Sequence, residues 1–380
     1  AGQGSETMRI GIPYETHRHE HRVGLTPLGV SRLRGLGAEV FVQHDAGCEG
    51  HFTEQNYVEA GAAIVHDRDE IYGRPDLVCK VGTVTEEEAR MTRPGAAISG
   101  FMHVAVMPRE ALRALVDRKV TLLGWEQVED DQGAHPVRRA LSEIAGRMAV
   151  QWAAHLLQFE AGGRGIILGN VPGVAPATVV ILGAGAVGWS AARVALALNA
   201  HVIVLDADMA RLRRALEHGC GHAVTAVASA KCFRRFIPIA DALITAATVP
   251  GGRAPFLVSE DLVRRMKQGS VILDLAVDEG GCVETSRPTT LDNPTYKVHG
   301  VTHFCVPNMT ANAPRTASRA LTLASVPFLE RIAMRGLDAA LREDPGLARG
   351  ICLYRGHVLH DVAAQALGVP RARLEDVLEG

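Results

Sequence analysis

The sequence predicts an α/β protein with two halves, each a parallel sheet with helices between its strands. Two series of short apolar runs alternate with helical segments, and one long amphipathic segment separates the two series. Strands that alternate with helices are typical of parallel βαβ units. A length of 380 residues suits two domains of ordinary size.

The first series occupies the front third of the chain. Residues 26–37 predict a helix, with Thr26 as N-cap, Pro27 at the first helical position and Gly37 at the end. A second helix is expected around the acidic residues 86–88. The strand-like runs of this series are residues 8–13, 38–43, 76–81, 96–102 and 120–126.

The separating segment, residues 142–163, predicts a longer helix. Its apolar residues recur at spacing four and form one wide stripe, which is typical of a helix packed on a core. Ser142 is expected to open this helix, and Gly162 and Gly163 to close it. The stripe consists of two neighbouring rows: Ile144, Met148, Trp152 and Leu156, and Ala145, Ala149, Ala153 and Leu157. The strand-like runs of the second series are residues 178–182, 201–206, 240–247 and 270–278.

Composition excludes several classes of protein. Hydrophobic residues make up 47% of the chain, which predicts a folded core rather than disorder. Proteins that bind nucleic acids or membrane surfaces usually carry a basic excess. The net charge of −2 therefore argues against both classes. The chain has no uncharged apolar stretch of about 18 residues, so no membrane span is predicted.

Seven cysteines without a C-x-x-C pair favour reduced thiols and a cytoplasmic protein. Residues 1–7, before Met8, are interpreted as a cloning remnant rather than a signal peptide.

The stretch GAGAVG has the spacing of a dinucleotide-binding loop. An apolar strand runs into Gly183, a small-residue helix runs out of Gly188, and the next strand ends in Asp206. Gly183 permits the tight turn, Gly185 lets the backbone approach a pyrophosphate, and Gly188 lets the helix pack on the strand. The N-terminus of the helix supplies N–H groups for the phosphates.

Asp206 favours one cofactor over another. Its carboxylate can accept hydrogen bonds from both ribose hydroxyls and would repel a 2′-phosphate, so NAD is favoured over NADP. The competing interpretation is a glycine-rich turn followed by a solvated aspartate. Loops after later strands, at about Thr248 and at Asp278, lie at the carboxyl ends where ligands bind. Asp278 is thus a candidate near a nicotinamide ring, whereas Asp274 is expected to be structural.

The other half should bind the hydride donor and supply acid–base groups, because a nicotinamide cofactor moves hydride. His103 ends the run AAISGFMH and is either a proton shuttle or a satisfied core residue. Arg22 follows the first strand and is either a two-pronged holder of a substrate carboxylate or a solvated loop cation. Glu20 could orient that guanidinium.

Three alternate histidines raise the question of a metal site. They are His17, His19 and His21, in the loop after the first strand. Alternate positions point to opposite sides of an extended chain, and no Cys/His cluster elsewhere completes a ligand set. No metal is therefore predicted.

Taken together, these residues resemble the alanine dehydrogenase family, to which the transhydrogenase α-subunit is related. The resemblance covers nearly the whole chain from Met8 onward. Its motifs, in order, are MRIGIPYET with E-x-R-V, GFMH, SEIAGR, GGRGIILGNVPGV, VILGAGAVG, ILDLAVDEGGCVETSRPTT, VHGVTHFCVPNM and ALT.

The resemblance implies two Rossmann-like, doubly wound parallel-sheet domains joined by long helices near 142–160 and 315–335. The substrate domain would be discontinuous, residues 8–135 and 310–380, and the NAD domain would be residues 136–309. The family forms hexamers or dimers through the linking helices, so a homo-oligomer is expected.

The resemblance also implies roles for particular residues. Arg22 would hold the substrate carboxylate, and His103 and Asp278 would do the acid–base work. The implied cofactor positions are Ser142, Gly183, Gly185, Ala186, Val187, Gly188, Asp206, Arg211, Asp278, Asn308 and Met309.

One departure from the family concerns the substrate site. The family has K-V-K-E-P where this chain has KVGTV, so the first lysine is kept as Lys80, a predicted substrate-binding residue, and the second is Gly82. That second lysine contacts the substrate carboxylate and the reacting oxygen. The loss of one such donor typically costs about 10²–10³ in rate. Gly82 also opens room, and Arg138 or Arg139 would replace the lost charge if either points inward.

Three functions therefore compete. The first is an NAD-dependent dehydrogenase that interconverts an L-amino acid and a 2-oxo acid, with altered substrate preference. The second is reductive condensation of an oxo acid with an amine, as in opine- or saccharopine-type dehydrogenases. The third is a catalytically silent NAD-binding homologue.

Overall fold

The computed structural model describes residues 7–217, 222–247 and 254–378. The chain divides into two compact units. The first comprises the residues up to Leu141 together with those from Ala311 onward, and the second comprises Ser142–Thr310. Within the described ranges, no helix combines the length and apolar character needed to cross a membrane.

The first unit begins with six strands and the helices between them. The strands are β1 (Arg9–Ile12), β2 (Glu39–Gln43), β3 (Ala63–Val65), β4 (Leu77–Cys79), β5 (Ala97–Gly100) and β6 (Thr121–Gly124). The helices are α1 (Pro27–Gly35), α2 (Glu54–Glu59), α3 (Arg68–Gly73), α4 (Glu86–Met91), α5 (Arg109–Asp117) and α6 (Pro136–Leu156), of which α6 continues into the second unit.

The second unit contains seven strands and four further helices among its described residues. The strands are β7 (Thr178–Leu182), β8 (His201–Asp206), β9 (Val224–Val227), β10 (Ala242–Thr245), β11 (Val271–Asp274), β12 (Thr295–Val298) and β13 (Val301–Phe304). The helices are α7 (Ala186–Ala197), α8 (Met209–Glu217), α9 (Ala230–Phe236) and α10 (Glu260–Arg264).

The C-terminal segment returns to the first unit. Its helices are α11 (Pro314–Arg335), α12 (Leu337–Glu343), α13 (Pro345–Ala348), α14 (Asp361–Leu367) and α15 (Leu374–Leu378). Its strands are β14 (Ile351–Tyr354) and β15 (His357–Val358). The helix expected near 315–335 is confirmed as α11.

Each unit is built on one sheet, and the expected α/β fold is confirmed. The strand order is β15-β14-β6-β5-β4-β1-β2-β3 in the first unit and β12-β13-β11-β10-β7-β8-β9 in the second. Each sheet is parallel except at one edge. In the first unit β14 pairs antiparallel with both β6 and β15, and in the second unit β12 pairs antiparallel with β13. The order reverses direction between β1 and β4, and again between β7 and β10. Ligands of such sheets bind beyond the carboxyl ends of the strands at these switch points.

The central strands are apolar along their length because helices cover both faces of a parallel sheet. Val180 and Ile181 in β7 and Leu243 and Ile244 in β10 are fully buried. Each unit has its own hydrophobic core around its sheet. These strands agree in place with the predicted runs.

The prediction for the long helix was wrong at both ends. Helix α6 begins at Pro136, so Ser142 lies inside it rather than capping it. Proline suits the first helical turn, where its missing N–H has no partner to lose. The helix ends at Leu156, because the chain turns back over its end. A Cβ at Gly163 would lie 2.1 Å from the Leu156 carbonyl oxygen, so the glycines mark this turn and not the last helical turn.

Candidate active site

The predicted substrate residues of the first unit lie at the switch point of its sheet. Arg22 is in the loop after β1, and Lys80 and Gly82 directly follow β4. The loop after β1 passes so close that a Cβ at Gly24 would lie 2.3 Å from the Cys79 carbonyl oxygen. The end of β5 joins them, since the Phe101 N–H donates to the Val81 oxygen at 2.8 Å. The three loops therefore form one surface at the carboxyl edge of the sheet.

Arg22 is held rigidly by Glu20. Its Nε and Nη2 donate to the two carboxylate oxygens of Glu20 at 2.7 and 2.6 Å, and its backbone N–H donates to Oε1 at 3.1 Å. The two side chains are only 5% and 4% exposed. A bidentate pair fixes the plane of the guanidinium as well as its position. The expectation that Glu20 orients Arg22 agrees with this geometry.

Lys80 belongs to a buried cluster of charged and polar groups. Its ammonium donates to Glu88 at 2.8 Å, to Glu15 at 3.1 Å and to the Tyr72 hydroxyl at 3.3 Å. These three acceptors match the three N–H bonds of an ammonium. Tyr72 in turn donates to Glu88 at 2.8 Å. Lys80 therefore links the loop after β1 to α4. Its predicted contact with substrate stays a prediction.

The two carboxyl groups of this cluster differ in their electrostatics. Burial raises the pKa of Glu15, and nearby Glu20 and Glu88 add to that effect against the attraction of Lys80. Burial also opposes ionisation of Glu88, but Lys80 and hydrogen bonds from Thr85 and Tyr72 hold its pKa below the usual range. For Lys80, burial alone would lower the pKa, yet its carboxylate partners hold it well above the ordinary value.

Gly82 leaves open space next to Glu15. Among the described atoms outside the neighbouring residues, only Glu15 Oε2 lies within 4 Å of where a Cβ would stand, at 3.8 Å. A longer side chain at this position would therefore start beside a carboxylate. Arg138 is half-buried and Arg139 is exposed, both in the first turn of α6.

His103 follows β5 and presents an exposed ring at the same edge. It opens the short 3₁₀ turn Val104–Val106 and has a left-handed backbone, with φ 43° and ψ 47°. Its ring stacks near that of Phe101, with centroids 6.4 Å apart. Glu126, which sequence reasoning missed, accepts the backbone N–H of His103 at 2.8 Å and that of Met102 at 3.2 Å. The expectation of a buried core histidine is not met, because the ring is exposed.

The glycine loop of the second unit fits a dinucleotide. Gly183 has φ 103°, and a Cβ there would lie 2.7 Å from the Ala246 oxygen. A Cβ at Gly188 would lie 1.8 Å from the Gly183 oxygen, so this residue lets α7 pack on β7. At Gly185, no described atom beyond the neighbouring residues lies within 4 Å of a Cβ. Gly185 is also the N-cap of α7 and has no side-chain cap. The loop thus leaves room for phosphates at the start of the helix.

Asp206 lies at the carboxyl end of β8, as predicted. One carboxylate oxygen accepts the Ala184 N–H of the glycine loop at 2.6 Å, and the other accepts the Asp208 N–H at 2.8 Å. These bonds fix the carboxylate against the loop. Arg211, another predicted cofactor residue, lies 4.0 Å from it.

The remaining predicted cofactor residues differ in exposure. Asp278 is exposed in the 3₁₀ turn Val277–Glu279 after β11, and Asn308 is exposed with φ 53°. Met309 is buried in the core of the second unit, and Ser142 is half-buried in α6. The predicted loop at Thr248 lies outside the described residues. Asp274 accepts hydrogen bonds from Thr245 and from the Cys282 N–H, which confirms its structural role.

The loop histidines do not form a cluster that could share an ion. Across the described part of the chain, the one such group is His44, Asp45 and Glu54 on the first unit. His44 faces a carboxylate at each ring nitrogen, and Nε2 is 3.2 Å from Asp45. The His44 ring therefore lies between the Asp45 and Glu54 carboxylates.

Comparison with known families agrees with this arrangement of two units. The family model "Alanine dehydrogenase/PNT, N-terminal domain" matches residues 11–145, and the model of the C-terminal domain matches residues 149–361. The chain belongs to the alanine dehydrogenase/PNT family. As a member, it is an NAD-dependent oxidoreductase that acts on a CH–NH₂ group.

Individual relatives cover almost the whole chain. Alanine dehydrogenase of Mycobacterium tuberculosis is 42% identical over 371 residues, which is 98% of this chain and 100% of the relative. Alanine dehydrogenase of Mycolicibacterium smegmatis is 39% identical, with 96% and 98% covered. A solved L-alanine dehydrogenase has a TM-score of 0.90 at 38% identity, with 95% and 99% covered. A transhydrogenase from Sinorhizobium meliloti has a TM-score of 0.78 at 26% identity, with 93% and 99% covered.

Proposed function

We propose that this chain is an NAD-dependent L-amino-acid dehydrogenase with altered substrate preference. The reaction converts an amino acid, NAD⁺ and water into a 2-oxo acid, ammonium, NADH and a proton. The observation that carries the proposal is the buried, bidentate Glu20–Arg22 pair at the same sheet edge as the exposed His103. A fixed guanidinium can hold a carboxylate and an accessible imidazole can take a proton, and oxidation of an amino acid needs both.

The glycine loop and Asp206 would hold NAD, with the phosphates at the N-terminus of α7. When bound, NAD supplies the acceptor for the hydride that leaves the substrate α-carbon. Arg22 anchors the substrate carboxylate. His103 takes the proton from the amino group and then assists addition of water to the iminium. We also propose an acid–base role for Asp278, which the family resemblance implies.

Gly82 is the basis for altered preference. The family resemblance implies a lysine at this position, whereas this chain has open space beside the Glu15 carboxylate. A substrate larger than alanine, or one with its own polar group, would fill the space. Arg138, half-buried in α6, is the candidate partner for an anionic side chain.

The open space also favours a second candidate function. A secondary amine needs more room at the reacting carbon than ammonia does. Reductive condensation of a 2-oxo acid with a larger amine would therefore suit a site with glycine at position 82.

A substrate panel distinguishes these functions. The purified protein is assayed for NADH formation with L-amino acids, and in reverse with 2-oxo acids plus ammonia or amines. Turnover that requires ammonia supports the dehydrogenase, and turnover that requires a larger amine supports the second function. Binding of NAD without any turnover would mean a catalytically silent homologue and would contradict both.

Two variants test the residues directly. Arg22→Lys should raise KM for the amino acid about 10-fold or more, since a lysine cannot form the two-pronged contact. His103→Ala should lower kcat about 10²–10⁴-fold. Arg32→Lys is the matched control, because Arg32 is exposed and pairs with Glu330 on α11. Wild-type kinetics in His103→Ala would contradict the proposed acid–base role.

We also propose a compartment, an oligomeric state and partners for the enzyme. The protein is cytoplasmic and forms a homo-oligomer, either a dimer or a hexamer. Small amino and 2-oxo acids are its partners, and nucleic acids and membranes are not. Light scattering on the purified protein measures the oligomer directly.

A further inference from the structure

We infer that Glu126 is a positioning residue for His103, and that its carboxylate sets the backbone turn that aims the imidazole. This inference rests on the acid–base role proposed for His103. Glu126 touches neither substrate nor cofactor in this view. It acts through two backbone N–H groups.

The turn after β5 is fixed by three consecutive N–H groups. The Phe101 N–H donates to the Val81 oxygen at 2.8 Å. The Met102 N–H donates to Glu126 Oε2 at 3.2 Å, and the His103 N–H donates to Oε1 at 2.8 Å. The two oxygens of one carboxylate thus each accept a hydrogen bond from one of two adjacent peptide units. A neutral side chain with a single acceptor atom lacks the second oxygen.

The conformation of His103 needs such support. Its φ of 43° and ψ of 47° lie in the left-handed region, which non-glycine residues rarely adopt. The result is that Met102 is fully buried while the ring of His103 is exposed at the sheet edge. A relaxed turn would re-aim the imidazole, and a displacement of about 1 Å at a reacting group can cost about 10²-fold in rate.

Glu126 is itself placed by its neighbours at the end of β6. The Trp125 N–H donates to the Gly100 oxygen at 2.9 Å, and the Trp125 indole is 2% exposed and lies near Phe328. The carboxylate folds back over Gly124. A Cβ at Gly124 would lie 3.1–3.2 Å from the carboxylate atoms, so alanine there would push the carboxylate aside.

Two variants disturb the carboxylate in different ways. Glu126→Gln keeps the shape but replaces one acceptor oxygen by an NH₂ group, which faces a backbone N–H. Gly124→Ala keeps the charge but displaces it. Each should lower kcat about 10- to 100-fold while KM for amino acid and for NAD changes less than about 2-fold. Amide hydrogen exchange at residues 102 and 103 should become faster in both variants. Glu129→Gln is the control, because Glu129 pairs with Arg349 and should leave kcat and exchange unchanged.

Combination with His103→Ala separates positioning from general loosening. If Glu126 acts through His103, Glu126→Gln should cause no further loss of kcat in the His103→Ala background. An equal loss in both backgrounds, or wild-type kcat and exchange in Glu126→Gln, would overturn the inference alone. Wild-type kcat in His103→Ala would instead remove the proposed acid–base role and the inference with it.

Discussion

At the scale of the residue, Gly82 has the clearest predicted chemical consequence, because the family resemblance implies a lysine at this position. Position 82 lies at the end of β4, and its open space is bordered by Glu15. A lysine introduced there would have a carboxylate near its stem and room for its chain. Of the other predicted substrate and catalytic residues, Arg22 pairs with Glu20 and His103 is exposed.

Gly82→Lys should therefore raise turnover of L-alanine, by up to about 10²–10³-fold if the missing donor limits the reaction. Gly82→Ala is the matched control, since it adds bulk without a charge and should give no gain. NADH formation with L-alanine and with the preferred substrate of the panel measures the change. A correctly folded Gly82→Lys protein without any gain would contradict the role given to this position.

At the scale of the element, the Lys80 cluster joins three segments: the loop after β1, the end of β4 and α4. Glu15 comes from the first, Lys80 from the second and Glu88 from the third. Arg68 on α3 adds a second cation 3.7 Å from Glu88. Of the two carboxyl groups that contact Lys80, the one on Glu88 therefore has more positive charge near it.

Glu15→Gln and Glu88→Gln should change the pH dependence of stability in opposite ways. The pKa of Glu88 is lowered by folding, so its stabilisation is present above about 4.3 and is lost as pH falls through the lower folded pKa. Glu88→Gln should cost about 3–5 kcal/mol at pH 7 and less in acid.

The pKa of Glu15 is raised by folding, so its contribution is fully present below about 4.3 and is lost as pH rises through the folded pKa. The melting temperature of Glu15→Gln relative to wild type should therefore improve as pH rises. Thermal unfolding of the three proteins between pH 4 and 8 measures both trends. Parallel pH profiles for the two variants would contradict the assignment.

Alanine substitutions at two glycines of one loop should separate an effect on folding from an effect on NAD binding. Gly188→Ala should destabilise the second unit, because its Cβ would collide with the Gly183 oxygen at 1.8 Å. Gly185→Ala should fold normally, since its Cβ meets open space and its φ of −71° suits alanine. That methyl group would stand where the phosphates approach and should weaken NAD binding at least 10-fold. Circular dichroism and calorimetry measure the two effects, and unchanged affinity in Gly185→Ala would mean that the phosphates lie elsewhere.

At the scale of the whole molecule, both sheets place their predicted site residues at the reversal of strand order. Arg22 and Gly82 follow β1 and β4 of the first sheet, and the glycine loop follows β7 of the second. Loops diverge at such points and leave a crevice at the carboxyl edge. The places of the two predicted sites therefore agree with strand order as well as with local sequence.

NAD should stabilise the protein more than NADP does. A ligand at 100 times its Kd adds about 2.7 kcal/mol to the free energy of unfolding. The Asp206 carboxylate, fixed by two backbone N–H groups, should repel a 2′-phosphate. Melting temperatures with each dinucleotide at equal concentration measure the difference. Equal shifts with NADP would show that Asp206 does not select the cofactor.

Local sequence predicted much of the fold, because its strongest signals are local. The buried strands are apolar runs, and the helix from Pro27 has its proline and its following glycine at the expected positions. The short strands β3, β9, β12, β13, β14 and β15 were missed, and of these only β13 and β14 lie inside their sheets. The four edge strands are partly exposed, so their formation depends on the neighbour that they pair with rather than on their own pattern.

The sequence by itself determined the two α/β series, the glycine loop with Asp206, and the candidates Arg22 and His103, since spacing and residue type carry that information. Only the tertiary structure decided which groups these candidates touch. It joined Glu126 to the turn of His103 across 23 residues and surrounded Lys80 with Glu15, Tyr72 and Glu88. A hydrogen bond between distant segments is formed when the sheet brings their strand ends together, and no local pattern encodes it.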